Sequence, residues 1–308
     1  MTSQLTRRQA LAGALGAALP APAKSPVIDT HIHLFAADQK RFPYHPNATY
    51  RPPAAPLEPY LEFVRAAGTD HSVIVHPEPY QDDHSYLTYC FDNEKPKGLF
   101  KGTILLDPIY PKTPPRMCEL VKQYGGRIVA MRIHAMNPPG EPPLQSGPIK
   151  NRDLRDPRMK AAWAKAADLG IAIQMHFLPH HAPAIGALCG QFPGLPVILD
   201  HMGRIGMGGA DALDAVMALA RHPRTHFKFS GVGYSSKQPH PHRDAKPIVE
   251  RAFREFGADR VLWGGLGHNL EEYQRAQTLL ASMFDFAPEA DRAKVRGINA
   301  ARLYGFAP

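Results

Sequence analysis

"VIDTHIHLF" (residues 27–35) reads as a short apolar strand that runs into polar residues at its end. It carries His31 and His33 two positions apart. Side chains alternate along a strand, so both imidazoles point to the same side and can reach one metal ion. The stretch therefore predicts the first strand of a sheet, with a reactive site at the carboxyl end of that strand.

Apolar runs of this kind recur along the chain and alternate with longer amphipathic segments of helical periodicity. The predicted strands are residues 27–33, 72–76, 102–106, 129–134, 171–177, 197–202, 226–230 and 261–265. This alternation predicts an α/β protein of the single-domain (β/α)8 TIM-barrel class. A doubly wound open sheet is the alternative, but it requires a glycine-rich phosphate turn where the first strand here ends in histidines.

Two long proline-rich loops interrupt the pattern. Residues 35–56 follow the first predicted strand, and residues 134–156 follow the fourth. Active sites of such barrels lie at the carboxyl ends of the strands, which these loops would cover. Loops of this length in a compact domain usually serve a function. We expect them to form walls of a substrate site.

The first 23 residues have the pattern of a twin-arginine export signal. Arg7 and Arg8 precede a stretch of small apolar residues, and residues 21–23 resemble a cleavage site. The expected barrel domain therefore spans residues 24–308. The expected compartment is the periplasm, reached through the twin-arginine export machinery.

The composition excludes several classes of function. The net charge is +8, but the basic residues are scattered, which argues against nucleic-acid binding. No apolar run reaches the ~18 residues that a membrane span needs, so we expect no membrane insertion. The excess positive charge favours a small anionic substrate. The three cysteines have no paired spacing and are expected to be free thiols. A homo-oligomer is compatible with the sequence.

Polar side chains recur at the predicted carboxyl ends of the strands. By alternation, the inward residues beyond the first strand include His76, Arg132, His134, His176, His201 and Lys228. One histidine at a strand end is most often a satisfied core residue. Its repetition on several strands indicates a site, and neutral imidazoles suit zinc and similar divalent metals.

The motifs in these segments resemble those of the amidohydrolase-related branch of the amidohydrolase superfamily. The matching segments are "DTHIHLF" (29–35), "QMHF" (174–177), "LDHMGR" (199–204), "FKFSG" (227–231), "VLWG" (261–264) and "NAARLYGF" (299–306). That branch holds lactonases and decarboxylases, metal-dependent and some metal-independent, on a (β/α)8 barrel. The chain is most similar in overall pattern to its dicarboxylate lactonases.

The resemblance implies a reactive centre made of histidines. His31, His33 and His176 would bind a divalent metal, zinc first and manganese second, or would stabilise an oxyanion as in metal-free members. His201 would contact the reacting group or the attacking water.

The resemblance also implies a subsite for an anionic substrate. Arg132 and Lys228 would hold a substrate carboxylate, and the fork of an arginine suits this task. His76, His134 and Tyr234 are further candidates for substrate contact.

The eighth predicted strand departs from the family pattern. Family members carry Trp-Gly-Ser/Thr-Asp with the aspartate as general base, whereas this chain reads Trp263-Gly264-Gly265-Leu266. Loss of a positioned base typically removes ~10²–10⁴-fold in rate. Three interpretations remain open: a neighbour replaces the base, the reaction needs no such base, or the protein binds without catalysis.

The candidates for a replacement base are His268, Asn269, Glu271, Asp83 and His84. We expect His201 or His268 to carry the proton. The predicted function is hydrolysis of a small carboxylated lactone or amide-like bond, with the carbonyl polarised at the histidine site. A non-oxidative carboxy-lyase on the same site is one alternative. A catalytically inactive periplasmic binding protein for an organic acid is the other.

Overall fold

The computed structural model describes residues 25–307, so the predicted export signal lies outside the described residues. Each strand pairs in parallel with the next, in the order of the sequence. The strands are β1 (Ile28–Ile32), β2 (His71–Val75), β3 (Phe100–Leu105), β4 (Ile128–Ala135), β5 (Ala172–Phe177), β6 (Val197–Leu199), β7 (Thr225–Phe229) and β8 (Val261–Trp263). The TIM-barrel prediction is confirmed. The doubly wound alternative is excluded, because the strand order never reverses.

Helices follow the strands and cover the outside of the barrel. They are α1 (Leu57–Ala66), α2 (Ser85–Asn93), α3 (Thr113–Tyr124), α4 (Met159–Leu169), α5 (Ala182–Gln191), α6 (Ala212–Met217), α7 (Lys246–Phe256), α8 (Leu270–Met283), α9 (Glu289–Ala293) and α10 (Asn299–Tyr304). No helix in the described part of the chain has both the length and the apolar character needed to cross a membrane.

The last strand returns to the first through close backbone contacts. Thr30 Oγ1 donates a hydrogen bond to the carbonyl of Trp263 at 2.6 Å. The N–H of Leu266 donates to the carbonyl of His31 at 3.2 Å. A Cβ atom at Gly264 would lie only 2.6 Å from the Cβ of His31. The closure of the barrel therefore needs glycine at position 264, and it fixes the backbone that carries His31.

Apolar side chains fill the space between sheet and helices, with Trp163 and Phe177 among those that are fully buried. A second, smaller cluster joins Ile28 and Leu262 to Tyr304 of α10. It fills the amino-terminal end of the barrel with side chains that are removed from water, which stabilises the fold.

β6 is shorter than predicted. The strand ends at Leu199, and residues 200–207 form tight turns in place of extended chain. His201, Met202 and Arg204 have φ angles of 53°, 56° and 50°, in the left-handed region that residues other than glycine seldom adopt. The alternation assumed for residues 197–202 is therefore wrong after Leu199. That alternation placed Asp200 outside the barrel, and the turn brings it inside.

Candidate active site

A cavity of about 560 Å³ opens at the carboxyl ends of the strands. The predicted site residues that line it are His33, Arg132, His134, His176, His201, Tyr234 and His268. The other lining residues are Tyr50, Glu78, Met136, Lys150, Arg204 and Leu266. Tyr50 and Lys150 come from the two proline-rich loops, which contain no helix and form walls of the cavity. A separate cavity of about 610 Å³ lies beside the second loop and holds none of the predicted site residues.

Asp200 is a fully buried carboxylate beneath this cavity. Its Oδ2 accepts hydrogen bonds from Arg132 Nε and Gln174 Nε2, both at 3.0 Å. Its Oδ1 lies 3.2 Å from Lys228 Nζ. Burial alone would raise the pKa of Asp200, but Lys228, Arg132 and His31 together lower it well below its usual value. Asp200 is therefore ionised, and it forms ion pairs with Arg132 of β4 and Lys228 of β7.

The rings of His31 and His33 meet beside Asp200. His33 Nδ1 donates to the carbonyl of Val75 at 2.7 Å, which leaves its Nε2 as an acceptor. His31 Nδ1 lies 3.6 Å from Asp200 Oδ1, which favours a proton on that nitrogen. The two Nε2 atoms are 3.3 Å apart. Zinc–nitrogen bonds of ~2.0–2.1 Å in tetrahedral geometry place neighbouring ligand nitrogens at about this separation.

The donor set fits a divalent metal ion. Burial lowers the pKa of His33 to about 3 and that of His31 well below 6.5. Both rings are therefore neutral at pH 7, as metal ligands must be. His31, Asp200 and His201 offer ligand atoms that all lie within 4.8 Å of one another.

Of the three predicted ligands, only His31 belongs to this cluster among the described residues, and His33 and His176 do not. His33 contacts the cluster through the Nε2 of His31, which lies 3.3 Å from its own Nε2. The Nε2 of His176 accepts a hydrogen bond from Arg204 Nε at 3.0 Å instead. The guanidinium carbon of Arg204 lies 3.7 Å from the ring centre of Tyr234, a cation–π contact. Arg204 forms no ion pair with any carboxylate in residues 25–307. It is a cation that faces the cavity without an acidic partner.

Sequence reasoning missed both Asp200 and Arg204, although both belong to the quoted segment "LDHMGR". Their side chains reach the site through the left-handed turn after β6, and no rule of strand alternation gives their direction. The signal that was available is chemical: an acidic and a basic residue next to a strand-end histidine.

His201 lies between Asp200 and the cavity. Its Nδ1 is 3.1 Å from Ser230 Oγ, and its Nε2 is 3.5 Å from Arg132 Nη2. Burial is the largest cause that lowers the pKa of His201 well below 6.5, and the positive charges of Arg132 and Arg204 lower it further. The imidazole is therefore neutral at pH 7 and can accept a proton.

Two predicted substrate contacts do not line the cavity. Lys228 is fully buried, and its ammonium group donates to the carbonyl of Thr30 at 3.0 Å besides contacting Asp200. His76 Nε2 donates to the carbonyl of Gln81 at 3.0 Å, and its ring packs on His84 at 4.4 Å between centroids. Both side chains therefore support residues of the site from behind.

Leu266, which the sequence pattern predicts at the position of the family aspartate, lines the cavity. Of the five candidates for a replacement base, only His268 also lines it. Asn269 caps α8 by accepting a hydrogen bond from the N–H of Glu272. Glu271 is exposed and pairs with an arginine of α8.

The two remaining candidates lie in the segment after β2. Asp83 is exposed and accepts a hydrogen bond from the N–H of Ser85. His84 is buried, and its Nε2 accepts a hydrogen bond from the N–H of Leu105. Neither side chain is free to act at the cavity.

Comparison with known proteins identifies the family. A family model described as amidohydrolase matches residues 28–306. The chain belongs to this amidohydrolase family. L-fucono-1,5-lactonase of Burkholderia ambifaria is 26% identical over 294 residues, which cover 90% of this amidohydrolase and 94% of the lactonase.

Solved structures share the fold of this amidohydrolase. One is a Pseudomonas putida protein described as a proposed 2-pyrone-4,6-dicarboxylic acid hydrolase. It is 20% identical to this chain with a TM-score of 0.73, and the match covers 92% of this chain and 99% of the Pseudomonas chain. Another is an amidohydrolase of Burkholderia multivorans with bound zinc. It is 17% identical with a TM-score of 0.69, and the match covers 92% of this chain and 100% of the Burkholderia chain. At these identities the likeness shows the barrel alone.

The contact between β8 and β1 gives a test of the site in this amidohydrolase. Gly264→Ala would push a methyl group against His31, and overpacking of this kind costs about 1–3 kcal/mol. We expect a lower free energy of unfolding in urea and weaker zinc binding by calorimetry. Gly126→Ala is the matched control, because a Cβ there meets no atom within 4 Å. Equal behaviour of the two variants would contradict this role of Gly264.

Proposed function

We propose that this amidohydrolase hydrolyses a lactone that carries a carboxylate. The observation that carries the proposal is Arg204, a guanidinium held by His176 and Tyr234 that faces the cavity without a carboxylate partner among the described residues. A guanidinium in this setting suits a substrate carboxylate. The lactonase relative supports ring-ester hydrolysis.

We further propose that His31 and His33 hold a divalent metal, zinc first and manganese second, with Asp200 and His201 beside them. The facing Nε2 atoms support this assignment, as does the contact of His31 with the Asp200 carboxylate. When bound, such an ion polarises a carbonyl and lowers the pKa of water to ~7. Asp200 orients His31 for this task, as carboxylates behind metal-binding histidines do.

The proton is handled by His201 in this proposal. Its ring is neutral at pH 7 and lies between Ser230 and Arg132, so it can take a proton from water. Arg132 disfavours the protonated ring, which helps His201 to return the proton to the leaving alcohol oxygen. His268, which lines the same cavity as His33, is the alternative proton carrier.

A carboxy-lyase is the second candidate, and Leu266 favours it. An apolar side chain at the family's general-base position fits a reaction that does not activate water. Such an enzyme would use the same cationic cavity to bind a carboxylated substrate and would release CO₂.

One experiment separates the candidate functions. We expect purified enzyme with zinc to open carboxylated lactones, with acid release in a weakly buffered assay. His31→Ala/His33→Ala should lower kcat/KM at least about 100-fold, since it removes the group that polarises the carbonyl. It should also abolish zinc measured by elemental mass spectrometry.

The matched control is His240→Ala/His242→Ala, a histidine pair with the same spacing outside the cavity. It should change neither readout. CO₂ release in place of ring opening would establish the lyase. Binding of organic acids without any turnover would establish a binding protein.

We also propose export to the periplasm by the twin-arginine route, supported by Arg7 and Arg8 and the small apolar residues after them. In bacterial cells, Arg7→Lys/Arg8→Lys should retain the protein in the cytoplasmic fraction. The exposed substitution Arg254→Lys should leave its distribution unchanged. Equal periplasmic fractions of the two variants would contradict the proposal.

A further inference from the structure

Glu78 is the only carboxylate among the residues that line the active-site cavity. Glu78 is buried, with only 3% of its surface exposed to solvent. Thr49 Oγ1 donates to its Oε2 at 3.0 Å, and Gln81 Nε2 donates to its Oε1 at 2.7 Å. A buried carboxylate normally has a cationic partner. Glu78 takes part in none of the ion pairs formed by residues 25–307, so its charge faces the cavity.

Three loops hold this carboxylate in place. Thr49 belongs to the loop after β1, and Gln81 follows Glu78 in the segment after β2. The carbonyl oxygen of the Gln81 side chain accepts a hydrogen bond from the N–H of Ile149, in the loop after β4. Gln81 has a φ angle of 53°, a conformation that a residue other than glycine adopts at a cost. The position of Glu78 is therefore prepared before any ligand binds.

The charges around the cavity leave one cation uncompensated. Arg132 is paired with Asp200. Lys150 lines the cavity and, like Glu78, forms no ion pair among residues 25–307, so these two opposite charges cancel in the sum over the cavity wall. Arg204 has no such partner, and a single substrate carboxylate would complete the balance. A second carboxylate would meet the repulsion of Glu78.

We propose that Glu78 selects the substrate: the enzyme takes a hydroxylated lactone with one carboxylate and rejects a dicarboxylate. The inference rests on the proposed lactonase function and deepens it. Arg204 binds the single carboxylate. Glu78 accepts hydrogen bonds from substrate hydroxyl groups, which are donors that a carboxylate binds well in a buried site. Tyr50, which lines the same cavity, offers a further hydroxyl group to the substrate.

The test compares two lactones on two variants. The substrates are D-glucaro-1,4-lactone, which has hydroxyl groups and one free carboxylate, and 2-pyrone-4,6-dicarboxylate, which has two carboxylates and no hydroxyl group. Glu78→Gln removes the charge and keeps the shape. Glu141→Gln is the matched control, an exposed glutamate on the loop after β4 that does not line this cavity.

We expect Glu78→Gln to lower kcat/KM for the glucarolactone about tenfold and to raise it for the dicarboxylate about tenfold, mainly through KM. Glu78→Asp, which keeps the charge, should retain the preference of the native enzyme, and Glu141→Gln should have no effect. A fall in kcat of about 100-fold on both substrates would overturn the inference, because it would make Glu78 a base. An unchanged ratio of the two kcat/KM values would overturn it as well.

A binding measurement tests the selectivity of Glu78 independently of the proposed hydrolysis. Calorimetry with D-gluconate, which has hydroxyl groups and one carboxylate, and with citrate, which has three carboxylates, gives the selectivity without turnover, because neither anion has a lactone ring to hydrolyse. If the native enzyme opens neither lactone but the Glu78→Gln variant gains affinity for citrate, the hydrolase proposal fails, whereas the selection by Glu78 against additional carboxylates is supported. If neither anion binds, or if the binding ratio does not change, the inference fails. Thermal unfolding of each variant shows that it is folded.

Discussion

The buried carboxylate of Asp200 is the contact on which the active site depends. It lies where β4, β5, β7 and β1 converge, and it is contacted by Arg132, Gln174, Lys228 and His31. A buried charge is tolerated only when it is paired and hydrogen-bonded, and here the pairing uses side chains from four strands. Asp200 thus fixes the guanidinium beside His201, keeps Lys228 beneath the cavity and favours the tautomer of His31 that directs its Nε2 toward His33.

The fold could be predicted from the sequence, and part of the site could not. The histidines at the strand ends could be predicted from local alternation in β5, which is regular through His176. β1 has a register irregularity where it pairs with β2, yet His33 just beyond it still lines the cavity with His176. Asp200 and Arg204 depend on the left-handed turn after β6, which places consecutive residues on one side. Glu78 follows β2 in a short turn, and its role depends on hydrogen bonds from two other loops that no local pattern reveals.

Leu266, where the family pattern predicts an aspartate, keeps the backbone contact of the strand end. The N–H of Leu266 still donates to the carbonyl of His31, so the strand end keeps its place while its side chain is apolar. Negative charge near the reactive centre is then supplied by Asp200 from beneath and by Glu78 from the wall. The first orients the histidines, and the second faces the substrate. These two carboxylates explain how the active site keeps negative charge without an acidic residue after β8.

The measurement that tests this account most directly is a double-mutant cycle on Asp200 and Lys228. Free energies of unfolding in urea, with chelator present, would be compared for the native protein, Asp200→Asn, Lys228→Met and the double variant. Asp200→Asn leaves the buried cations Lys228 and Arg132 without their carboxylate, and Lys228→Met leaves Asp200 with Arg132 as its remaining cation. Each single change should cost about 3 kcal/mol. The double variant should cost less than the sum by about 2 kcal/mol, since neither charge of the Asp200–Lys228 pair remains. Costs that add to within about 0.5 kcal/mol would contradict the central role of this ion pair.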